Sequence, residues 1–341
     1  MSIKFNLQLF ANELQTTLLD GLSVEMKTFY DMTLIDEASP ALVHDQFGQK
    51  RPIPKNGGKT IEFRKFSPLP KATNPLTEGV TPDGKSLTVT AITATVSQYG
   101  DYITQSDVLE LTSIDNTILE ATKLLGKQAG ATLDTIVRDI LHSGSTVMFA
   151  SKWANGVETE VTERDQLDAT ATLKVDTVHR AVAQLRAQNA PTIGGKYVAI
   201  IHPYVAYDLM RDPEWIDAHK YANPTNLYEG EIGEIGGVRF VQTTEAKIYD
   251  STNASPDNPC PAGLSVFGCL FLGEGAFGVT EITGGGLQTI VKQKGSAGTA
   301  DPLDQRSSVG WKAIKTAEIL VPTYMLRVEC CSKYSATAKA N

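Results

Sequence analysis

Apolar and polar positions alternate along this chain with two periods, and the changes between them mark its elements. Leu14, Leu18, Leu22, Met26 and Phe29 recur at helical spacing with acids between them, which predicts a helix over 13–36, slightly weakened by Gly21. Residues 38–58 are rich in Pro and Gly and read as an extended arm. In KTIEFRKF, Ile61 and Phe63 share one face while Glu62 and Arg64 share the other; SLTVTAITATV is dense in β-branched residues, and both runs predict strands. Between them lie about twenty residues rich in Pro, Gly, Thr and Lys, a length that a compact domain rarely leaves without structure of its own. A two-stranded ribbon is barely stable in water, and neither strand is apolar enough to build a private core. The ribbon therefore needs a surface to lean on.

A long helix is predicted over 115–143, with Asp115 as N-cap and Gly144 in place of a C′ glycine. Ile118, Thr122, Leu125, Ala129, Leu133, Ile136 and Ile140 form its apolar stripe. At 1.5 Å per residue it would be about 40 Å long. Gly126 and Gly130 inside it predict close packing against a neighbour. Residues 174–250 then read as an α/β unit. VDTVHRAVAQLRAQN is a helix capped by Asp176 and stopped near Asn189 and Pro191, KYVAII a buried strand, and HPYVAYDLMRD a helix with Pro203 in its first turn. GGVRFVQTT and LSVFGCLFL are strands. The chain closes with strand-like runs, QRSSVGWKAIKTAEIL and TYMLRVEC, turned at Pro322, and with SATAKAN, which should fray.

With 41% apolar and 21% charged residues among 341, the composition is that of a soluble globular protein. Lys and Arg number 31 against 39 Asp and Glu, a net charge of −8, which argues against gripping nucleic acid through its phosphates. No apolar run is long enough for a membrane span, and the N-terminus shows no signal-peptide pattern. Cys260, Cys269, Cys330 and Cys331 form no C-x-x-C pair and no disulfide framework, which fits a reducing compartment. The charge is uneven. From Lys55 to Val96 there are six bases (Lys55, Lys59, Arg64, Lys65, Lys71, Lys85) and three acids (Glu62, Glu78, Asp83), or +3, so the remainder carries −11. A basic arm on an acidic body suits docking on an identical neighbour; a solvated loop is the alternative.

Motifs that would carry chemistry fail on context. GGKT at 57–60 lacks the earlier glycine of a P-loop and an apolar strand before it, so it reads as a turn that launches a strand. GEGAFG at 273–278 matches a dinucleotide fingerprint literally, but a β-like run follows where the pyrophosphate site needs a helix. The five histidines are scattered, and His202 reads as a strand-end residue with a local hydrogen bond. Seven acids at 208–234 (Asp208, Asp212, Glu214, Asp217, Glu229, Glu231, Glu234) fit no metal-loop spacing and read as a solvated or subunit-facing surface. No catalytic, cofactor or metal residue is assigned.

Four long runs carry a resemblance: KTIEFRKFSPLPKATNPLTEGVTPDGKSLTVTAITATVSQYGDYI, VAIIHPYVAYDLMRDPEWIDAHKYANP, GEIGEIGGVRFVQTTEA and GSAGTADPLDQRSSVGWKAIKTAEIL. They resemble the major capsid proteins of tailed bacteriophages, closest to the coliphage N-four-type family, and the similarity spans nearly the whole chain. It implies an α+β fold of the Hong Kong 97 type. On that reading 1–54 is the N-terminal arm and 55–98 the extended β-hairpin E-loop. Residues 99–171 are a peripheral domain with the long spine helix, 172–298 an α/β axial domain, and 299–341 the return to the peripheral domain and the C-terminal tail. The resemblance also implies a function without catalysis: self-assembly of hexamers and pentamers into an icosahedral phage head around double-stranded DNA, formed in the host bacterial cytoplasm. Its implied partners are further copies of the chain, a separate scaffolding protein, a portal protein, a possible decoration protein, and DNA held non-specifically, with no membrane and no cofactor. The E-loop residues Arg64, Lys65, Lys71, Glu78, Asp83 and Lys85 are the candidate inter-subunit contacts. No motif singles out a lysine for the covalent cross-link that some relatives form. An encapsulin-like compartment shell is the alternative of the same fold, and an enzyme built on the middle region is the alternative of another class.

Overall fold

A computed structural model of the chain describes residues 34, 37–38, 42–66, 69–75, 78–79, 81, 83–113, 117–154, 156–220, 232–255, 258–296 and 301–341. The helix predicted over 13–36, the cap at Asp115, and Glu229 and Glu231 lie outside the described residues, Leu34 apart. The chain divides into two compact units, one made of 1–38, 100–129 and 287–313, the other of 39–99, 130–286 and 314–341.

The second unit is built on a mixed sheet. Its strands are β5 (Val147–Phe149), β8 (Tyr197–Ile201), β9 (Glu234–Ile235), β10 (Val238–Gln242), β11 (Ile248–Tyr249), β12 (Val266–Leu272) and β16 (Met325–Cys330). They run β5-β16-β12-β8-β10-β9, with β11 on β12. β8 and β10 are parallel, Ala199 opposite Phe240; β12 is antiparallel to both its neighbours, with Leu270 opposite Ile200 and Arg327. YVAII and VFGCLFL are buried throughout because both faces of the sheet are covered, which is why they read as unbroken apolar runs. Alternate residues serve opposite faces. Tyr197, Ala199, Ile201, Cys269 and Phe271 meet α3 (Val175–Ala187), α4 (Pro203–Met210) and Trp215 of α5 (Pro213–Lys220). Val198, Ile200, Leu270 and Leu272 meet Val137 and Leu141, from the end of α2 (Thr117–His142), and β13 (Phe277–Glu281). Each large side chain buried this way contributes about 1.5–3 kcal/mol.

In the same unit β1 (Gln49–Lys50) lies parallel to β13, and β13 is antiparallel to residues 315–319 of β15 (Arg306–Ile319). Two hairpins complete it, β2 (Thr60–Phe66) with β3 (Val89–Thr95) and β6 (Lys152–Ala154) with β7 (Val157–Thr159). The first unit holds β4 (Ser97–Ser106) from Gly100 onward, α1 (Asp107–Thr112), residues 117–129 of α2, β14 (Gln288–Lys292) and residues 306–313 of β15. There a Cβ on Gly126 would stand 2.8 Å from the Leu34 carbonyl, so glycine lets the two backbones touch, as the close packing predicted at that position requires.

Several expectations need correction. α3 is not capped by Asp176, which lies inside its first turn; the N-cap residue is Lys174, without a side-chain bond, and the carboxylate of Asp212 accepts the Val175 N–H at 2.9 Å. Asn189, with φ of 54°, does stop the helix. Gly144 is not a left-handed C′ residue: α2 ends in tighter turns, Ser143 N–H to Ile140 O and Gly144 N–H to Leu141 O, and a Cβ there would crowd Met325. Near its end α2 fully buries Val137 and Leu141, with Asp134, Arg138 and His142, while the predicted Ile140 packs half-buried against the same cluster and Ile136 is half-buried.

These buried charges have work to do. Asp134 accepts the backbone N–H groups of Val43 and His44 at 2.9 and 2.8 Å and the His44 ring at 2.7 Å, so the predicted extended arm is clamped over 43–44 and turns as a 3₁₀ helix at His44–Phe47. Arg138 donates to the backbone carbonyls of Glu245 and Asn341. The tail does not fray: the Asn341 side chain accepts from Ile248 N–H, and Ser265 binds the Ala336 and Ala338 carbonyls. Deeper still, Arg164 grips Glu329 with two bonds of 2.7 and 2.6 Å, and Arg327 pairs with the same carboxylate at 2.9 Å. Removing one member of such a buried group costs about 3–5 kcal/mol, because it strands the others without water.

His202 is the N-cap of α4, its Nδ1 accepting the Tyr204 N–H at 3.1 Å, as its place at a strand end predicts. Burial pushes its pKa down to about 4, and burial together with Arg327 holds His142 well below the ordinary value. The unfolded chain therefore takes up protons that the folded chain refuses, and stability falls as pH drops from 6.5 towards 4. His202→Asn keeps a capping acceptor that does not titrate. Urea melts at pH 7 and pH 4.5 should show a smaller loss for His202→Asn than for the parent; an identical loss in both would show that His202 carries none of it.

Candidate functional site

The ribbon β2–β3 is where the sequence placed the contact residues, and it has two different ends. Its pairing runs from Thr60 opposite Thr95, through Phe63 opposite Ile92, to Phe66 opposite Val89. Asn56 and Gly58, both at positive φ, turn the chain into β2, which makes GGKT a strand-launching turn. At the root, Phe63 and Ala94 are buried against Leu320 and Val321, with Ile61, Ile92 and Tyr324 half-buried around them. The neighbouring backbone is shaped for this. Leu320 and Val321 both donate to the Ala276 carbonyl, and a Cβ on Gly278 would stand 2.8 Å from the Phe63 ring. GEGAFG is thus the turn from β12 into β13, followed by a strand, and its last glycine seats the ribbon.

Beyond the root the picture reverses. Phe66, Leu69 and Leu87 are exposed by 61%, 55% and 65%, and Val89 is exposed as well. Lys71, Glu78, Asp83 and Lys85 are exposed and make no ion pair with another described residue. Arg64 approaches only Glu62, at 3.7 Å, and Lys65 is half-buried. The structure gathers Arg64 and Lys65 at the root and spreads the other four along the projecting part. Large apolar side chains exposed together in this way mark interaction surfaces in soluble proteins generally.

The acids expected on one surface are divided among local tasks. Asp212 caps α3, Asp208 accepts the Lys333 N–H at 2.8 Å, and Glu234 pairs with Lys196. Among the described residues no group of His, Cys, Asp and Glu is placed to hold a metal ion, and no helix is long and apolar enough to cross a membrane. The cysteines are free, with the Cys269 and Cys330 sulfurs 3.9 Å apart in the core. Sequence reading missed the exposed helix α1, whose Val108 and Leu111 face solvent; its six residues are too few to show a period.

The family model for phage capsid proteins matches residues 89–325. No curated protein matches the sequence significantly. Among solved structures, the fold is similar to the capsid of Ralstonia phage GP4, with a TM-score of 0.64 and 13% identity over 87% of this chain and 90% of that one. It is also similar to the capsid of cyanophage P-SCSP1u (0.63, 14%, 84% and 87%) and that of cyanophage Pam1 (0.62, 15%, 86% and 92%). The match favours a phage head over an encapsulin-like compartment. With the fold similar across nearly the full length and the family model covering more than half the chain, the chain belongs to the phage capsid protein family, as a major capsid structural protein of the Hong Kong 97 type.

Proposed function

We propose that this capsid protein builds its shell from hexamers and pentamers, with the ribbon as the E-loop that overlaps a neighbouring copy. The observation that carries the reading is the ribbon's asymmetry: Phe63 buried in its own chain, Phe66, Leu69 and Leu87 exposed beyond it. In this reading 1–54 is the arm, 55–98 the E-loop, 99–171 and 299–341 the peripheral domain, and 172–298 the axial domain. Arg64, Lys65, Lys71, Glu78, Asp83 and Lys85 face the neighbour. Each contact is modest, and closure makes the sum strong, because every copy is held at several places at once. Opposite charge on ribbon and body sets orientation and speeds encounter more than it adds affinity. The closed shell encloses double-stranded DNA without gripping it, as a net charge of −8 suits. A separate scaffolding protein and a portal complete the head in the host cytoplasm, and the chain performs no catalysis.

Two experiments test this. Deleting 68–86 removes the projecting part and leaves the Phe63 cluster, so the subunit should keep its melting transition to within about 1 kcal/mol, as for surface changes generally, and fail to form shells by negative-stain microscopy. A deletion that unfolds the subunit would make the ribbon part of the core. Reversing both Lys71 and Lys85 to Glu should raise the subunit concentration needed for assembly roughly tenfold at low ionic strength and much less at high salt, where exposed charges are screened. Light scattering that shows the same shift at both salt concentrations would refute charge-guided docking.

A further inference from the structure

We infer that the root of the ribbon is a socket for helix α1 of a second copy, an inference that rests on the shell reading above. A cavity of about 150 Å³ opens beside the root. The charged side chains that line it are all cations, Arg51, Arg64 and Lys65, and its apolar lining includes Ile92, Leu320 and Val321. Arg51 and Lys65 have no ion-pair partner among the described residues, and Arg64 reaches only Glu62 at 3.7 Å. Three like charges around an apolar floor repel one another, so the occupant that relieves them brings carboxylates together with apolar side chains. Phe66 and Val89, opposite each other in the ribbon and both exposed, continue the apolar surface outward.

The chain carries one described element of that chemistry. α1 reads Asp-Val-Leu-Glu-Leu-Thr, and all of its residues except the half-buried Asp107 are exposed. Leu111 is 80% and Val108 63% exposed. The helix is nevertheless held firmly at its base. The Ser106 hydroxyl accepts the Leu109 N–H, the Asp107 N–H donates to Gln305 O, and Glu110 pairs with Lys294 at 3.0 Å. It presents three large apolar side chains on a fixed support beside Glu110, which is shared with Lys294, and the half-exposed Asp107, so its acids oppose the cations of the socket and its apolar side chains match the floor. With Leu111 open to solvent in its own chain, the seat is supplied by another copy. Other exposed features fit less well. Glu158, Glu160 and Asp176 offer acids without an apolar floor, and the surface around Tyr207, Arg211, Asp208 and Lys333 mixes both signs. Burying apolar side chains gives the contact its strength, and the acid–base match selects the partner.

The test uses full-length chains, some carrying Arg51→Cys and others Leu111→Cys, mixed before assembly and treated with a short bismaleimide. Mixed shells should yield a covalent dimer joined through positions 51 and 111, identified by peptide mass, while shells of either variant alone should not. Charge exchange gives an independent readout. Asp107→Lys with Glu110→Lys should impair assembly at least tenfold in onset concentration, and Arg51→Glu with Lys65→Glu in the same chain should restore most of it. Shells that form normally yet give no such dimer and no restoration overturn the socket and leave the shell reading standing. A cross-link inside single dispersed chains carrying both cysteines overturns it as well. Failure of the parent chain to form shells under any condition removes both.

Discussion

A pair of β-strands cannot bury enough of itself to stay folded, and the shape of the β2–β3 ribbon depends on how that constraint is met. One aromatic ring fastens the ribbon. Phe63 sits among Ala94, Leu320 and Val321, on a floor kept open by Gly278. The described residues between Phe66 and Val89 are all exposed and present charge and apolar side chains outward. Fixing the root costs little sequence. It also means the projecting part can vary in length and charge without endangering the packing of the subunit's own core.

The rest of the second unit solves a related problem, fastening chain segments that have no regular structure. Here the device is a buried charge with several bonds. Asp134 collects three donors from Val43 and His44, and Arg138 reaches the carbonyls of Glu245 and Asn341, so one helix face holds both an early segment and the tail. Burying ions in this way is weak as a source of net stability and strong as a source of register, because a mispaired segment would strand a charge away from water. Glu329, shared by Arg164 and Arg327, applies the same rule beneath the sheet. For a protein whose copies must all be alike to tile a surface, register matters more than a further kcal/mol.

What could be read from the sequence follows from this division. Elements fixed by period were legible: the unbroken apolar β8 and β12, α3 with its stop at Asn189, the ribbon strands, and α2 over most of its length. What depended on distant partners was not. The stripe through Ile136 and Ile140 gives no sign that Val137 and Leu141 are the fully buried pair, because Asp134, Arg138 and His142 are buried on that face by partners distant in sequence. Asp176 looked like a cap by position, while the working carboxylate, Asp212, is 37 residues from the N–H it accepts. SATAKAN has the composition of a loose end and is held by backbone bonds that no composition reveals. The candidate contacts split likewise: charge counting located the ribbon, and only the coordinates separate Arg64 and Lys65 at its root from Lys71 and Lys85 along its reach.

The low identity to other capsids, 13–15% at TM-scores of 0.62–0.64, is the expected companion of such a design. A core needs apolar volume in the right alternation, which many sequences supply. An interface between identical copies needs only that each surface match its own counterpart, so a change on one side can be answered by a change on the other side in the same gene product. Both sides of the contact are then free to drift together while the fold stays put. Residue roles at these surfaces therefore do not transfer between capsids of similar shape, and the charge and exposure of Arg51, Arg64, Lys65 and α1 have to be argued from this chain alone.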